Sequence, residues 1–135
     1  MAVQMELKRI LISDLSDQQF IFLKEVDGQR TMPIVIGPSE ARAIDSRLKG
    51  EPVPRPMTHQ LLANVIERLG ATLERIVIHD LKDHTFFASL VLRQNGQTIE
   101  IDSRPSDAIA LGVASNVPIF VAEHVLDEVA TEDAE

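Results

Sequence analysis

The sequence predicts an α+β fold: one domain with a mixed β-sheet flanked by helices. Three observations carry that prediction. The 135 residues fit one domain with a substantial core, and 44% hydrophobic with 25% charged residues is an ordinary globular composition. Short strand-patterned runs alternate with helical stretches along the whole length. An internal repeat sets both kinds of element in the same order twice.

From Met5 to Asp14, Leu7, Ile10 and Ile12 lie among polar neighbours and read as a strand, followed by a polar turn. Phe20-Ile21-Phe22-Leu23 reads as a second strand, and Asp27-Gly28 is a hairpin signal before a third from Met32 to Ile36. Gly37-Pro38 opens a helix with Glu40 at its third position and Ala41, Ile44 and Leu48 on one face, ending near Gly50. Glu51 to Pro56 is too proline-rich for helix or central strand and reads as an extended connector.

Thr58 then reads as the N-cap of a helix whose Leu61, Leu62, Val65, Ile66 and Leu69 are expected to be core, with Gly70 as its stop. Thr72 to Leu81, Thr85 to Arg93 and Thr98 to Ile101 are the next strands, the last two joined by Asn95-Gly96. A helix from Pro105 ends near Ser115-Asn116. Pro118 to Val121 reads as a short edge strand, and Glu123 to Val129 as a final helix. The expected domain covers residues 1–130, with an acidic, frayed tail over 131–135.

The repeat is explicit. Arg9-Ile10, Ile12, Asp14-Leu15, Asp17 and Phe20 are identical to Arg75-Ile76, Ile78, Asp80-Leu81, Asp83 and Phe86, all 66 positions on. At an offset of 67, Pro38-Ser39-Glu40-Ala41 with Ala43 and Ile44 matches Pro105-Ser106-Asp107-Ala108 with Ala110 and Leu111. Two strand-strand-strand-helix units are therefore expected. Features held by both copies read as scaffold: a turn shaped by Asp14 and Asp80, and a helix start bearing Ser106 and Asp107. Asp102, Ser103 and Arg104 fall opposite Val35, Ile36 and Gly37, so Asp102 and Arg104 are additions that a helix start does not require.

Charge narrows the partners. The formal net charge is −8, yet no Lys or Arg follows Arg104, and residues 1–104 are close to neutral. A local basic patch on such a body can bind phosphate, whereas an extended basic groove is not expected. The chain has no cysteine, which removes disulfides, thiolate catalysis and cysteine-type zinc sites. No apolar run approaches the ~18 residues of a membrane span, and the start lacks a signal-peptide layout, so a cytoplasmic protein with no membrane partner is expected.

The candidate site follows from residue types. Arg55 between Pro54 and Pro56 is a stiff cation, and His59 in the first turn of a helix can titrate near neutral pH. Arg104, Asp102 and Ser106 gather where a helix N-terminus favours an anion. Phosphodiester hydrolysis needs a base to activate water and cations to offset developing charge. His59, Asp102 and Asp80 are the candidate catalytic residues; Arg55, Arg104 and Ser106 are the candidate phosphate ligands. His79, His84 and His124 have no partners at metal-ligand spacing.

Several phrases resemble the bifunctional nuclease domain family: Pro33-Ile34-Val35-Ile36-Gly37 with Glu40-Ala41, Arg55-Pro56-Met57-Thr58-His59, Asp80-Leu81 with Phe86-Phe87-Ala88, and Ile101 through Leu111. The resemblance runs from about Leu7 to Val129. It implies nuclease (hydrolase) activity on RNA and DNA, with nucleic acid as substrate and a tendency to form homo-oligomers. Two positions depart from the family pattern, Gln60 standing for an acid and Phe87 for a tyrosine. A divalent cation such as magnesium or manganese is an expected cofactor of a metal-assisted route. The rival expectation is a non-catalytic module that binds a small anionic ligand or a protein partner.

Overall fold

The computed structural model describes residues 1–13, 15 and 17–132, with only the backbone of Glu132. The strands are β1 (Ala2–Leu11), β2 (Gln19–Glu25), β3 (Arg30–Ile36), β4 (Thr72–Lys82), β5 (Thr85–Gln94), β6 (Gln97–Ser103), β7 (Ile119–Ala122) and the two-residue β8 (Thr131–Glu132). The helices are α1 (Pro38–Lys49), α2 (Thr58–Arg68), α3 (Pro105–Ser115) and α4 (Glu123–Val129). All strands join one mixed sheet in the order β6-β5-β4-β7-β1-β2-β3-β8.

Each half of the chain runs three antiparallel strands and then a helix, β1-β2-β3-α1 and β4-β5-β6-α3. The two meanders flank β7, which is antiparallel to β1 and parallel to β4. The Pro118–Val121 stretch is therefore central rather than an edge. Ile119 and Val121 are buried between its neighbours, and Pro118 lies just before the strand, where its carbonyl accepts the Ile76 N–H at 3.1 Å. A proline outside the ladder costs it no donor, which is why the residue did not force the strand to the rim.

Turn chemistry fixes the hairpins. Asn95 and Gly96 both take positive φ, 52° and 76°, in a two-residue turn between β5 and β6. The β4–β5 tip does the same with Asp83 and His84, at φ 50° and 65°, without glycine. Arg30 closes the far side. It pairs with Glu25 at 3.1 Å and with Glu123 at 2.6 Å, tying the β2–β3 hairpin to α4. Thr131 and Glu132 then pair with Thr31 and Arg30, so the start of the expected acidic tail is a strand; residues 133–135 lie outside the described residues.

The core lies where α3 meets the sheet. Ala108, Ile109, Ala110, Leu111 and Gly112 are all buried, because α3 rests on β4 and β5 while α1 and α2 pack against it. The approach is close at Gly112, where an added methyl would lie 3.1 Å from Ile76 Cδ1. By contrast α2 has no buried residue. Ala63 and Ile66 are its half-buried side chains against the core, while Leu61, Leu62, Val65 and Leu69 are exposed, Leu61 by 55%. The expectation that this stripe is core is corrected: the helix is apolar on more than one side, and only the narrow Ala63–Ile66 side meets the protein. Its cap also differs, since the N-cap position is Met57 and Thr58 is the first helical residue. Gln60 Oε1 accepts the Met57 N–H at 2.9 Å, doing from the third position what a Thr58 hydroxyl was expected to do.

Truncation should separate the two helices. Ile109→Ala is expected to lower the unfolding free energy by about 2–5 kcal/mol in urea titrations. Leu61→Ala should change it by no more than about 0.5 kcal/mol. Equal losses would mean that α2 is packed as deeply as α3.

Candidate functional site

Three helices begin close together. Pro38 and Pro105 occupy the first turns of α1 and α3, pre-setting φ where no amide donor is needed. The third residues of the three helices are Glu40, Gln60 and Asp107. Gln60 folds back on its own N-cap. The two carboxylates are tied together by Arg104, the N-cap residue of α3.

Asp107 is the centre of this cluster. Its Oδ2 accepts from Arg104 Nε at 2.9 Å, and its Oδ1 lies 3.1 Å from His59 Nε2. Arg104 Nη2 reaches Glu40 Oε2 at 3.3 Å. The result is a chain, His59–Asp107–Arg104–Glu40, spanning the starts of α2, α3 and α1. The Glu40 carboxylate folds back over Gly37, so a methyl there would displace its Oε1.

The electrostatics set the proton positions. Burial pushes the Asp107 carboxyl up, but the bonds from Arg104 and His59 outweigh it, and the group lies below the usual carboxylate range. The same pair raises Arg104 above its ordinary value, the Asp107 bond first and the Glu40 charge after it. An ionised carboxylate only accepts, so His59 Nε2 is the donor in the contact with Asp107.

His59 lines a groove of about 400 Å³ between α1, α2 and α3, together with Ser39, Arg42, Ser46 and Arg47. Arg55 lines an adjoining groove of about 660 Å³, which shares Arg47 and Gln60 with the first. Arg104 and Ser106 border a separate cavity of about 500 Å³. His59 and Arg104 are thus brought together through Asp107, and Arg55 stands one groove away without an ion pair.

Asp80 and Asp102 lie elsewhere. Asp80 accepts the Leu81 N–H at 2.9 Å, which, with His124 and Lys82, holds it below its ordinary range. His124 Nε2 is 3.4 Å from Asp80 Oδ1, so this histidine has a carboxylate neighbour after all. Its repeat counterpart Asp14 is outside the described residues. Asp102 is exposed on β6, an edge strand, opposite Ser89. Among the described residues no hydrogen bond or ion pair joins Asp80 or Asp102 to His59, and Arg104 pairs with Asp107 and Glu40 rather than with Asp102.

The sequence reading missed Asp107 and Glu40, which it assigned to scaffold because both copies of the repeat carry them, and it overlooked Arg42 and Arg47. A signal did exist. Arg104 replaces a glycine between two equivalent acids, which is the pattern of a cation placed to bridge them. No three His, Asp or Glu side chains converge as a cation site among the described residues. Both Asp107 oxygens are already engaged, so the residues at hand do not fit a divalent cation.

Fold and cluster together define an α+β domain with a histidine–carboxylate–arginine chain at the junction of three helix starts. The chain belongs to the bifunctional nuclease domain family, which matches residues 21–134. It is similar to an uncharacterized protein of Mycobacterium tuberculosis, 40% identical over 117 residues, covering 87% of this chain and 70% of the relative. It is also similar to Bifunctional nuclease 1 of Oryza sativa subsp. japonica, 26% identical, covering 91% of this chain and 38% of that protein. Bifunctional nuclease 2 of Arabidopsis thaliana is 26% identical over 78% of this chain and 33% of its own length. The chain thus spans little more than a third of these plant relatives.

Asp107 makes the cluster pH-sensitive in a defined direction. A carboxyl with a depressed folded pKa contributes stability that is present above its unfolded value and lost as pH falls through the folded one. The stability gap between the protein and Asp107→Asn should therefore be constant near neutral pH and shrink below about pH 4. A gap that persists unchanged in acid would show that Asp107 is not the ionised partner of Arg104 and His59.

Proposed function

We propose that this protein hydrolyses phosphodiester bonds of RNA and DNA, with His59 as general base. The observation that carries the reading is the 3.1 Å contact between His59 Nε2 and Asp107 Oδ1 on the wall of a groove that also bears Arg42 and Arg47. Family membership supports it. Asp107 is the positioning residue: it holds the ring and favours the tautomer with a free Nδ1. Water attacks phosphorus, its oxygen forms the new P–O bond and its proton passes to Nδ1. The ester oxygen leaves and takes a proton from solvent. Arg42 and Arg47, with Arg55 in the adjoining groove, offset the phosphate charge. Asp80 and Asp102 are assigned to the scaffold.

No helix among the described residues is long and apolar enough to cross a membrane, and the proposal takes in a cytoplasmic location. A second reading, contact with a protein, is favoured by the exposed stripe on α2. That face is the proposed surface for self-association.

Purified protein should cleave labelled RNA and DNA, and His59→Ala should lower the rate by about 10²–10⁴-fold. Arms with magnesium, manganese or chelator show whether a cation adds to the rate. Asp80→Asn and Asp102→Asn should remain within a few-fold of the parent. Activity that survives His59→Ala would end the assignment. In sedimentation runs, Leu61→Glu with Val65→Glu should yield a smaller species than the parent protein. A parent that sediments as a monomer would remove the α2 contact between copies.

A further inference from the structure

The cavity of about 500 Å³ at the Arg104 end of the chain has a different character from the groove at His59. Its volume falls in the ~300–1,000 Å³ range of small-ligand sites. Phe20, Phe86 and Ile34 supply apolar wall, while Arg104, Ser106 and Asp17 supply polar groups. Phe20 and Phe86 are counterparts at the 66-position offset, so one matching aromatic comes from each half of the chain.

Two polar atoms are left without partners here. Ser106 is only 8% exposed, and its hydroxyl makes no hydrogen bond among the described residues. No fully sealed side-chain oxygen or nitrogen goes unpaired, so the Ser106 hydroxyl keeps its remaining access, and the cavity it lines is where that access lies. Its counterpart Ser39 is exposed on the surface. Arg104 spends Nε on Asp107 and Nη2 on Glu40, which leaves Nη1 uncommitted. The Ser106 hydroxyl and Arg104 Nη1 therefore offer a ligand one donor-acceptor group and one donor that the fold leaves unused.

The charge balance decides what kind of ligand fits. Arg104 is matched by two carboxylates, and Asp17 adds a further negative group to the wall. A phosphate dianion would meet little net attraction. A neutral, flat ring with apolar faces and a polar edge meets aromatic walls on its faces, and a hydroxyl and a guanidinium N–H at its edge.

We propose that this cavity is a nucleobase pocket, which seats one unpaired base beside the phosphate attacked by the water that His59 deprotonates. The inference rests on the nuclease reading and narrows its substrate: a paired base hides both its faces and its edge, so the target nucleotide is single-stranded or turned out of a duplex. Arg104 then joins the two halves of the site, with Asp107 linking it to the base-activating histidine and Nη1 facing the nucleobase.

Amide chemical-shift titrations of the intact protein test this, with adenosine 5′-monophosphate, ribose 5-phosphate and inorganic phosphate as probes. Adenosine 5′-monophosphate should give saturable shifts at Phe20, Phe86 and Ser106, and ribose 5-phosphate should not. Phe86→Leu should weaken binding about 5- to 100-fold, the loss expected for one stacking contact. Ser106→Ala should weaken it several-fold, and carries the comparison if Phe86→Leu fails to fold. Equal shifts from ribose 5-phosphate would reveal a phosphate site, and no shift at millimolar nucleotide would reveal no site; either result overturns the pocket. His59→Ala should bind the nucleotide as the parent does. Hydrolysis without nucleotide binding therefore sinks the pocket alone, and nucleotide binding without hydrolysis sinks the nuclease reading alone.

Discussion

The site depends on one carboxylate bonded by an arginine and a histidine from two helices. Asp107 accepts from Arg104 on one oxygen and meets His59 on the other, at 2.9 and 3.1 Å. Both contacts depend on where α3 begins, since Asp107 stands in its first turn. That start is fixed from both ends: Pro105 sets the first turn, and the Gly112–Ile76 approach locks the helix body onto β4. Packing in the core is thus what gives the polar cluster its geometry. The helix that contributes least to the core, α2, contributes the histidine, and Asp107 is its polar link to α3.

The like element order of the two halves explains why the cluster lies where it does. Two equivalent helices bring two equivalent acids, Glu40 and Asp107, to their third positions, where each complements its own helix dipole. Close carboxylates repel, and a cation between them removes the penalty. Arg104 supplies it, at the position where the other copy has Gly37. Arg104 thereby joins the two acids into a connected chain with His59 at its end.

Most of the fold was legible because its signals are local. The Pro-bearing helix starts, the Asn95-Gly96 turn and the strand alternation need no knowledge of tertiary contacts. Three errors arose where only tertiary structure decides. Sheet order placed the Pro118–Val121 strand at the centre, although its short length and proline read as an edge. The apolar stripe of α2 faces outward because α3 accepts only its Ala63 and Ile66 side, a choice that periodicity cannot express. The cap of α2 falls on Met57, with Gln60 accepting its N–H, although Thr58 has the better capping side chain. The contact between Asp107 and His59, 48 positions apart, is long-range and leaves no trace in spacing. Asp102, which departs from the repeat as Arg104 does, is exposed on an edge strand.

The acidic net charge is compatible with a phosphate-bearing substrate once pairing is taken into account. Glu25 and Glu123 are engaged with Arg30, and Glu74 with Arg93, so part of the negative charge is already matched within the fold. Cations without acid partners lie where the grooves are: Arg42 and Arg55 make no ion pair among the described residues, and Arg47 donates to the Ala114 carbonyl, so that three guanidinium groups face Glu51 and Glu67 on the same walls. A field felt over a few ångströms by a phosphate in those grooves is set by these neighbours rather than by the distant tail. The same reasoning separates the two cavities. Guanidinium groups without acid partners favour phosphate at the His59 groove, whereas the balanced Arg104 favours a neutral ring at its own.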